Sequence, residues 1–161
     1  MTTPIDAILS EVAVATLERL AFIFASPAPA AAWPPPEELL AARLEFRGPF
    51  GGEMRIAMSH AAVEELAANM LGLADGEAPG EAARADALKE LLNVICGNLL
   101  PAIAGEAAEF NLASPCLAPP APPPIEPAAV WIRLALDNGV CLLGLRMAAA
   151  GPRAVSGQEA K

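Results

Sequence analysis

Apolar residues recur along the chain at two different spacings, and the switches between them mark out its elements. Ile5, Ile8, Leu9, Val12, Thr16, Leu20 and Ile23 follow the three- and four-residue spacing of an amphipathic helix that runs to about Phe24. Thr3, Pro4 and Asp6 stand where an N-cap, a first helical proline and a capping-box acid belong. Ser26 to Pro36 is rich in proline and alanine and reads as a linker, ending in three prolines that cannot continue a helix. From Leu40 to Ser59 the period falls to two. Leu44 and Phe46 alternate with Arg43, Glu45 and Arg47, and Met54, Ile56 and Met58 with Arg55, so two half-buried strands are predicted. Gly48-Pro49 and Gly51-Gly52 make them a hairpin. Ser59 then caps a second helix through Val63, Leu66, Met70 and Leu71, which stops at Gly72.

A third helix is predicted from about Ala83 to Leu100, followed by a short strand within Phe110 to Leu117. Pro119 to Pro127 reads as an extended polyproline spacer, with a ligand for an SH3-like module as the alternative. Val130 to Leu136 and Val140 to Met147 flank Asp137-Asn138-Gly139, a hairpin whose Asn-Gly favours a type I′ turn. No internal repeat is visible. The order predicts an α+β fold, an antiparallel sheet built from two hairpins with long helices packed on one face. One domain over residues 1–150 and a frayed tail from Gly151 complete this organisation.

Composition then narrows the function. With 161 residues, 55% of them apolar, the chain can bury a sizeable core. Ten basic against nineteen acidic residues give a net charge of −9, which excludes the basic stripe of a nucleic-acid binder and a polybasic membrane patch. Membrane insertion is not expected, because the most apolar stretch, Leu20 to Trp33, is cut by Pro27 and Pro29. Cys96, Cys116 and Cys141 stand far apart, and with His60 the single histidine no metal cluster is expected. An odd count of thiols and a start without the positive charge of a secretory signal point to the cytoplasm.

No GxGxxG, Walker, GxSxG or HExxH pattern occurs. His60 reads as a solvated first-turn residue, Cys96 and Cys141 as small core residues, and Arg55, Arg133 and Arg146 as decoration of a solvated sheet face. The third helix is different. Stepping about 100° per residue gathers Leu88, Leu91, Leu92, Ile95 and Leu99 in one stripe and Asp86, Glu90, Asn93 and Gly97 opposite. Glycine costs about 1 kcal/mol against alanine in a helix, and asparagine is also a poor helix former. Three readings fit: a solvated face with an incidental glycine, a glycine packed against this protein's own sheet, or a face kept open for another protein's backbone.

Asp86, Glu90 and Asn93, with Gly97-Asn98 after them and Pro115 further on, resemble the motif of the CheX/CheC/FliY chemotaxis phosphatase family. The order of helices and hairpins agrees as well. A single motif, with Glu65 and Asn69 at a different spacing on the second helix, resembles the CheX branch rather than two-site CheC. The resemblance implies dephosphorylation of a CheY-like response regulator, a homodimer, and no cofactor of its own, the regulator supplying Mg²⁺. Asn93 would orient the attacking water and Glu90 would pair with the regulator's lysine, so catalysis would be positioning. Pairing of the final hairpin's edge would suit the dimer. The alternative is a non-catalytic CheX-like module that binds a response regulator or a flagellar component.

Overall fold

The computed structural model describes residues 3–29, 33–120 and 129–148. Three helices, α1 (Ile5–Ala21), α2 (His60–Leu71) and α3 (Glu81–Ala104), pack on one face of an antiparallel sheet. The strands are β1 (Ser26–Pro27), β2 (Leu39–Arg47), β3 (Gly52–Ser59), β4 (Asn111–Leu112), β5 (Cys116–Ala118), β6 (Ala129–Leu136) and β7 (Gly139–Met147). Their order is β1-β6-β7-β3-β2-β4, with β5 beside β4 on the outer edge of β2. The α+β expectation is met. Alternation does the sorting: Leu44, Phe46, Met54, Ile56, Met58, Leu143 and Leu145 face the helices and are fully buried with Leu9, Leu17, Leu66 and the apolar stripe of α3. By length and composition α3 could cross a membrane, but its apolar residues are spent on this core.

Several local expectations are corrected. Thr3 does not cap α1: Pro4 occupies the N-cap, its carbonyl accepts from Ala7 and Ile8, and Asp6 accepts only from Ala7. The helix ends at Ala21, before Phe24, because Phe22 turns left-handed (φ 55°). Ile23 N–H then closes on the Leu17 carbonyl, and Ile23 enters the core while Phe24 stays exposed. Ser26 and Pro27, inside the presumed linker, pair with Ala135 and Leu134 on β6. Ser59 holds the N-cap of α2 without capping it; its hydroxyl accepts the Val140 N–H at 2.9 Å and ties α2 to β7. The α2 stop at Gly72 (φ 68°) is as expected. The last hairpin closes through Asp137 and Asn138, with positive φ on Gly139 rather than Asn138, so the turn is not type I′. Most of the predicted polyproline spacer, residues 121–128, and the tail from residue 149 lie outside the described residues.

The sheet order is a palindrome. Exchanging β1 with β4, β6 with β2 and β7 with β3 reverses the order onto itself, which makes α1–β1–β2–β3 and α3–β4–β6–β7 two copies of one plan. Setting Glu11 against Glu90 aligns α1 with α3, and across α1 only Leu9/Leu88, Glu11/Glu90 and Leu20/Leu99 are identical. The repeat is therefore invisible as sequence and plain as topology.

The other face of the sheet is open and partly charged. Leu39, Ala41, Ala57 and Leu142 form a small apolar cluster there with Trp33, Trp131 and Val140. Beside it Glu53, only 7% exposed, is gripped by Arg55 of its own strand and by Arg43 and Arg146 of the strands on either side. Its Oε1 accepts from Arg55 Nε at 3.0 Å and Arg146 Nη2 at 3.4 Å, and its Oε2 from Arg43 Nη1 at 3.4 Å. Arg55 and Arg146 are thus on the solvated sheet face expected of them, and there they also grip a buried carboxylate. Burial opposes ionisation of Glu53, yet the hydrogen bonds and charge of Arg55 and Arg146 outweigh it and hold the carboxyl below its usual range. Cys96 and Cys141 are buried as expected, and burial pushes both thiols up to about 12.

Two expectations follow from this packing. Because the folded pKa of Glu53 is depressed, its contribution is complete above the ordinary carboxylate pKa and is lost as pH falls through the folded value. Glu53→Gln should cost about 2 kcal/mol near neutral pH, and it should flatten the fall of the melting temperature below about pH 4.5. Equal acid sensitivity in the two proteins would remove Glu53 from this account. A thiol reagent should label Cys116 alone in the folded protein, and Cys96 and Cys141 only after unfolding, as read by mass spectrometry.

Candidate functional site on α3

Rotation of α3 is set by its apolar stripe. Leu88, Leu91, Leu92, Ile95 and Leu99 are fully buried against the sheet and the other helices. The opposite arc therefore faces outward, with Asp86, Glu90 and Gly97 exposed and Asn93 half-buried. The helix is longer than predicted at both ends, reaching Ala104 through Pro101. At its start Arg84 donates to the Pro79 carbonyl at 2.7 Å. Pro101 has no N–H to give the Gly97 carbonyl four residues back, so that acceptor has no helical i+4 partner.

The second wall comes from the strand edge. Where one short strand was expected there are two, both paired with β2. Leu112 lies opposite Phe46 and Cys116 opposite Arg43, so Ala113, Ser114 and Pro115 stand against only Leu44 and Glu45. This is a bulge, and bulges re-aim a strand. Proline suits it because no ladder donor is lost. The Ala113 N–H still reaches the Glu45 carbonyl at 2.9 Å. Phe46, Phe50 and Phe110 pack edge to face, with centroids 5.2–6.0 Å apart, and anchor the start of β4.

Between the two walls runs an open groove of about 450 Å³, lined on one side by Asp86, Lys89, Glu90 and Asn93 and on the other by Ser114 and Pro115. Glu90 and Asn93, neighbours on α3, are thus brought together with Pro115 from the strand edge. Asp86 instead pairs with Lys89 at 3.5 Å. Among the described residues neither Glu90 nor Asn93 is committed to a hydrogen bond or ion pair. Chemically the groove offers one carboxylate, one amide and one ammonium. Among the described residues no three His, Cys, Asp or Glu side chains gather to hold a metal ion. His60 lies away from the groove, its Nε2 at 3.1 Å from the Glu37 carbonyl.

Neighbouring polar residues are used structurally. Asn98 Nδ2 donates to Thr16 Oγ1 at 3.4 Å, and Thr16 donates on to the Val12 carbonyl at 2.7 Å, so Asn98 braces α3 against α1. Glu65 accepts from Asn138 and Asn69 donates to the Ala21 carbonyl, which accounts for both residues on α2. On α1 the groove's twin is lined by Ala7, Ser10, Glu11 and Val14 among others, the counterparts of Asp86, Lys89, Glu90 and Asn93. The acid is kept there and the amide is missing. Sequence inspection missed this relation, Glu53 and the bulge; the equal spacing of Glu11 to Pro36 and Glu90 to Pro115 was the one available signal.

A two-layer α+β fold of two like halves, here with an acid–amide pair on an outward helix face beside a strand bulge, belongs to a known class. The family model for the chemotaxis phosphatase CheX matches residues 40–122, and the chain belongs to that family. No curated protein matches it by sequence. CheX from Vibrio vulnificus is 16% identical, with a TM-score of 0.71, over 91% of this chain and 97% of that one. CheX from Desulfovibrio desulfuricans is 16% identical, with a TM-score of 0.69, over 89% and 99%. The Borrelia burgdorferi protein of a CheX–CheY–BeF3–Mg²⁺ complex is 14% identical, with a TM-score of 0.68, over 91% and 99%. At these identities the structures establish the fold.

Gly97 can be tested directly. A Cβ added there meets nothing within 4 Å, so this protein's own packing does not require the glycine. Gly97→Ala should therefore raise stability by about 1 kcal/mol, read as a higher melting temperature. A lower melting temperature would restore the reading in which Gly97 serves internal packing.

Proposed function

We propose that this protein hydrolyses the aspartyl phosphate of a CheY-like response regulator, inserting Asn93 and Glu90 into the regulator's active site. The observation that carries this reading is the uncommitted Glu90–Asn93 pair on the groove face of α3, next to a glycine that internal packing does not need. Membership of the chemotaxis phosphatase family supports it, as does the neighbour whose structure is a CheX–CheY complex.

The division of labour follows from what each side owns. The regulator brings the phosphoryl group, its Mg²⁺ and a lysine; this chain brings no group that must ionise near pH 7. The Asn93 amide can accept from a water and donate to the phosphoryl oxygens at once, holding that water in line for attack on phosphorus. The phosphorus–oxygen bond to the aspartate breaks, and inorganic phosphate leaves. Glu90 pairs with the lysine and sets the register in which Asn93 enters. Gly97 leaves room for the regulator's backbone. The chain works as a homodimer in this reading: among the described residues β1 pairs with β6 at Leu134 and Ala135 and Ala28 reaches the Arg133 carbonyl, and a second copy takes the β6 edge towards Ala129.

Decay of the phosphorylated CheY-like regulators of the same organism tests the proposal. The wild-type chain should accelerate decay, and Asn93→Ala should lower that acceleration about a hundredfold, the scale of one lost transition-state contact. Glu90→Ala should weaken it about tenfold, chiefly through docking. Gly97→Ala should slow it despite the stabler fold. Unchanged decay with every cognate regulator, from a folded protein, would assign the chain to the non-catalytic binding modules. Acceleration that survives Asn93→Ala would keep the activity and reject the site.

A further inference from the structure

Besides its two acids and its amide, the α3 groove holds the ammonium of Lys89. This is the one basic side chain among the described residues that line it. Stepping about 100° per residue puts Lys89 about 40° from Asn93 on one side of the helix and Glu90 about 60° from it on the other. Both stand one turn before the amide, at i−4 and i−3, so both are its neighbours on the helix surface. The amide is thus flanked by a cation and an anion. Lys89 is 33% exposed and rests on Asp86, with Nζ 3.5 Å from Oδ1. That contact is longer than a close charge-assisted hydrogen bond, and Asp86 is 77% exposed, so water competes for both partners. Lys89 is held, but loosely.

Charge decides what this group can do. Without Lys89 the groove would present two carboxylates, Asp86 and Glu90, on a chain of net charge −9. A regulator that gains a phosphoryl group gains negative charge at the place where Asn93 enters. Against two carboxylates alone that gain would weaken docking, and the chain would prefer the regulator already dephosphorylated. Glu90 does not resolve this, because the lysine it meets belongs to the regulator in either state. A cation beside the amide reverses the sign. Lysine carries its charge on a flexible four-carbon stem, and residues four apart on a helix are surface neighbours, so the ammonium that meets Asp86 can swing to the group that Asn93 holds. A phosphoryl group offers it three strong acceptor oxygens, more than an exposed, hydrated carboxylate does.

We propose that Lys89 reads the phosphoryl group: on docking its ammonium exchanges Asp86 for a phosphoryl oxygen, and the chain prefers the phosphorylated regulator for that reason. The inference rests on the phosphatase reading and adds to it a specificity-determining residue. Lys89 meets the oxygen equally before and during attack on phosphorus, so it contributes to binding and not to the chemical step. Asp86 keeps the ammonium on the groove wall when no regulator is bound and competes with the phosphoryl group for it. The two members of one ion pair therefore act on affinity with opposite signs, whereas a pair that only braced the helix would give both the same sign.

Calorimetric titration of the full-length chain with the CheY-like regulators of the same organism, in Mg²⁺ with and without beryllofluoride in place of the phosphoryl group, measures the preference. Wild type should bind the beryllofluoride form about tenfold more tightly or better. Lys89→Gln should lower that ratio about tenfold and flatten its dependence on salt, Lys89→Arg should keep it, and Asp86→Asn should raise it about threefold. In decay of the phosphorylated regulator, Lys89→Gln should raise KM about tenfold and leave kcat within about twofold. Equal binding of the two forms by wild type, a ratio unchanged by Lys89→Gln, or a ratio lowered alike by Lys89→Gln and Asp86→Asn would overturn the inference; decay that Asn93→Ala still stops would then leave the phosphatase reading standing. A folded wild-type chain that neither binds nor dephosphorylates any cognate regulator would overturn both.

Discussion

Everything about the candidate site depends on the burial of one stripe of α3. Leu88, Leu91, Leu92, Ile95 and Leu99 have no solvent exposure, so the helix cannot roll by even one position without exposing two or three of them. At about 25 cal/mol per Å² that would cost several kcal/mol. The same rigidity that holds the core therefore aims Glu90 and Asn93 at the groove. Asn98 and Thr16 add a polar brace between α3 and α1 on one flank of that stripe, which fixes translation as burial fixes rotation.

The two-fold plan sets two helix faces side by side for comparison, and only one of them carries the acid–amide pair. Each helix lies over a strand of the other half, α1 over β6 and α3 over β2, and presents an outward acid, Glu11 or Glu90, near a proline-bearing edge segment. Only α3 follows the acid with an amide. Val14, at the equivalent place on α1, is half-buried and can neither donate nor accept. The halves have also diverged at their edges. β1 is two residues against β6, whereas β4 and β5 together with the bulge at Ala113–Pro115 build a second wall beside α3. The two halves thus share one plan and differ at this face, where α3 carries the acid–amide pair and α1 the acid alone.

How much of this was legible in the sequence depended on the range of the signal. Strands β2, β3, β6 and β7 and the three helices were readable because each buries one face, and burial of a face imposes a period. The acid–amide pair was readable for the opposite reason: Asn93 and Gly97 are poor choices on a helix unless something outside it needs them. Local caps read badly. Ser59 had the right residue type for a cap, but its hydroxyl was claimed by Val140, a residue 81 positions away. Glu53 looked like one more polar position in an alternating strand; its burial required Arg43, Arg55 and Arg146 from three strands to converge. The twist of the last turn and the bulge at Pro115 were equally out of reach, since both are set by cross-strand register.

A positioning site leaves few of the usual electrostatic marks. An enzyme that moves protons itself gathers perturbed ionisable groups, and the shifted groups here, Cys96, Cys141, Glu53 and Arg43, belong to the core and the far sheet face. Searching by pKa would lead away from α3. What marks the α3 face is a lack of internal purpose: a carboxylate and an amide with no partner among the described residues, a glycine with open space around it and a carbonyl that Pro101 leaves without its helical donor. Each costs a little stability or gains none, and all lie within two turns of one helix. A surface selected for its own fold would have lost them singly; their coincidence is best accounted for by a second protein that supplies the missing partners.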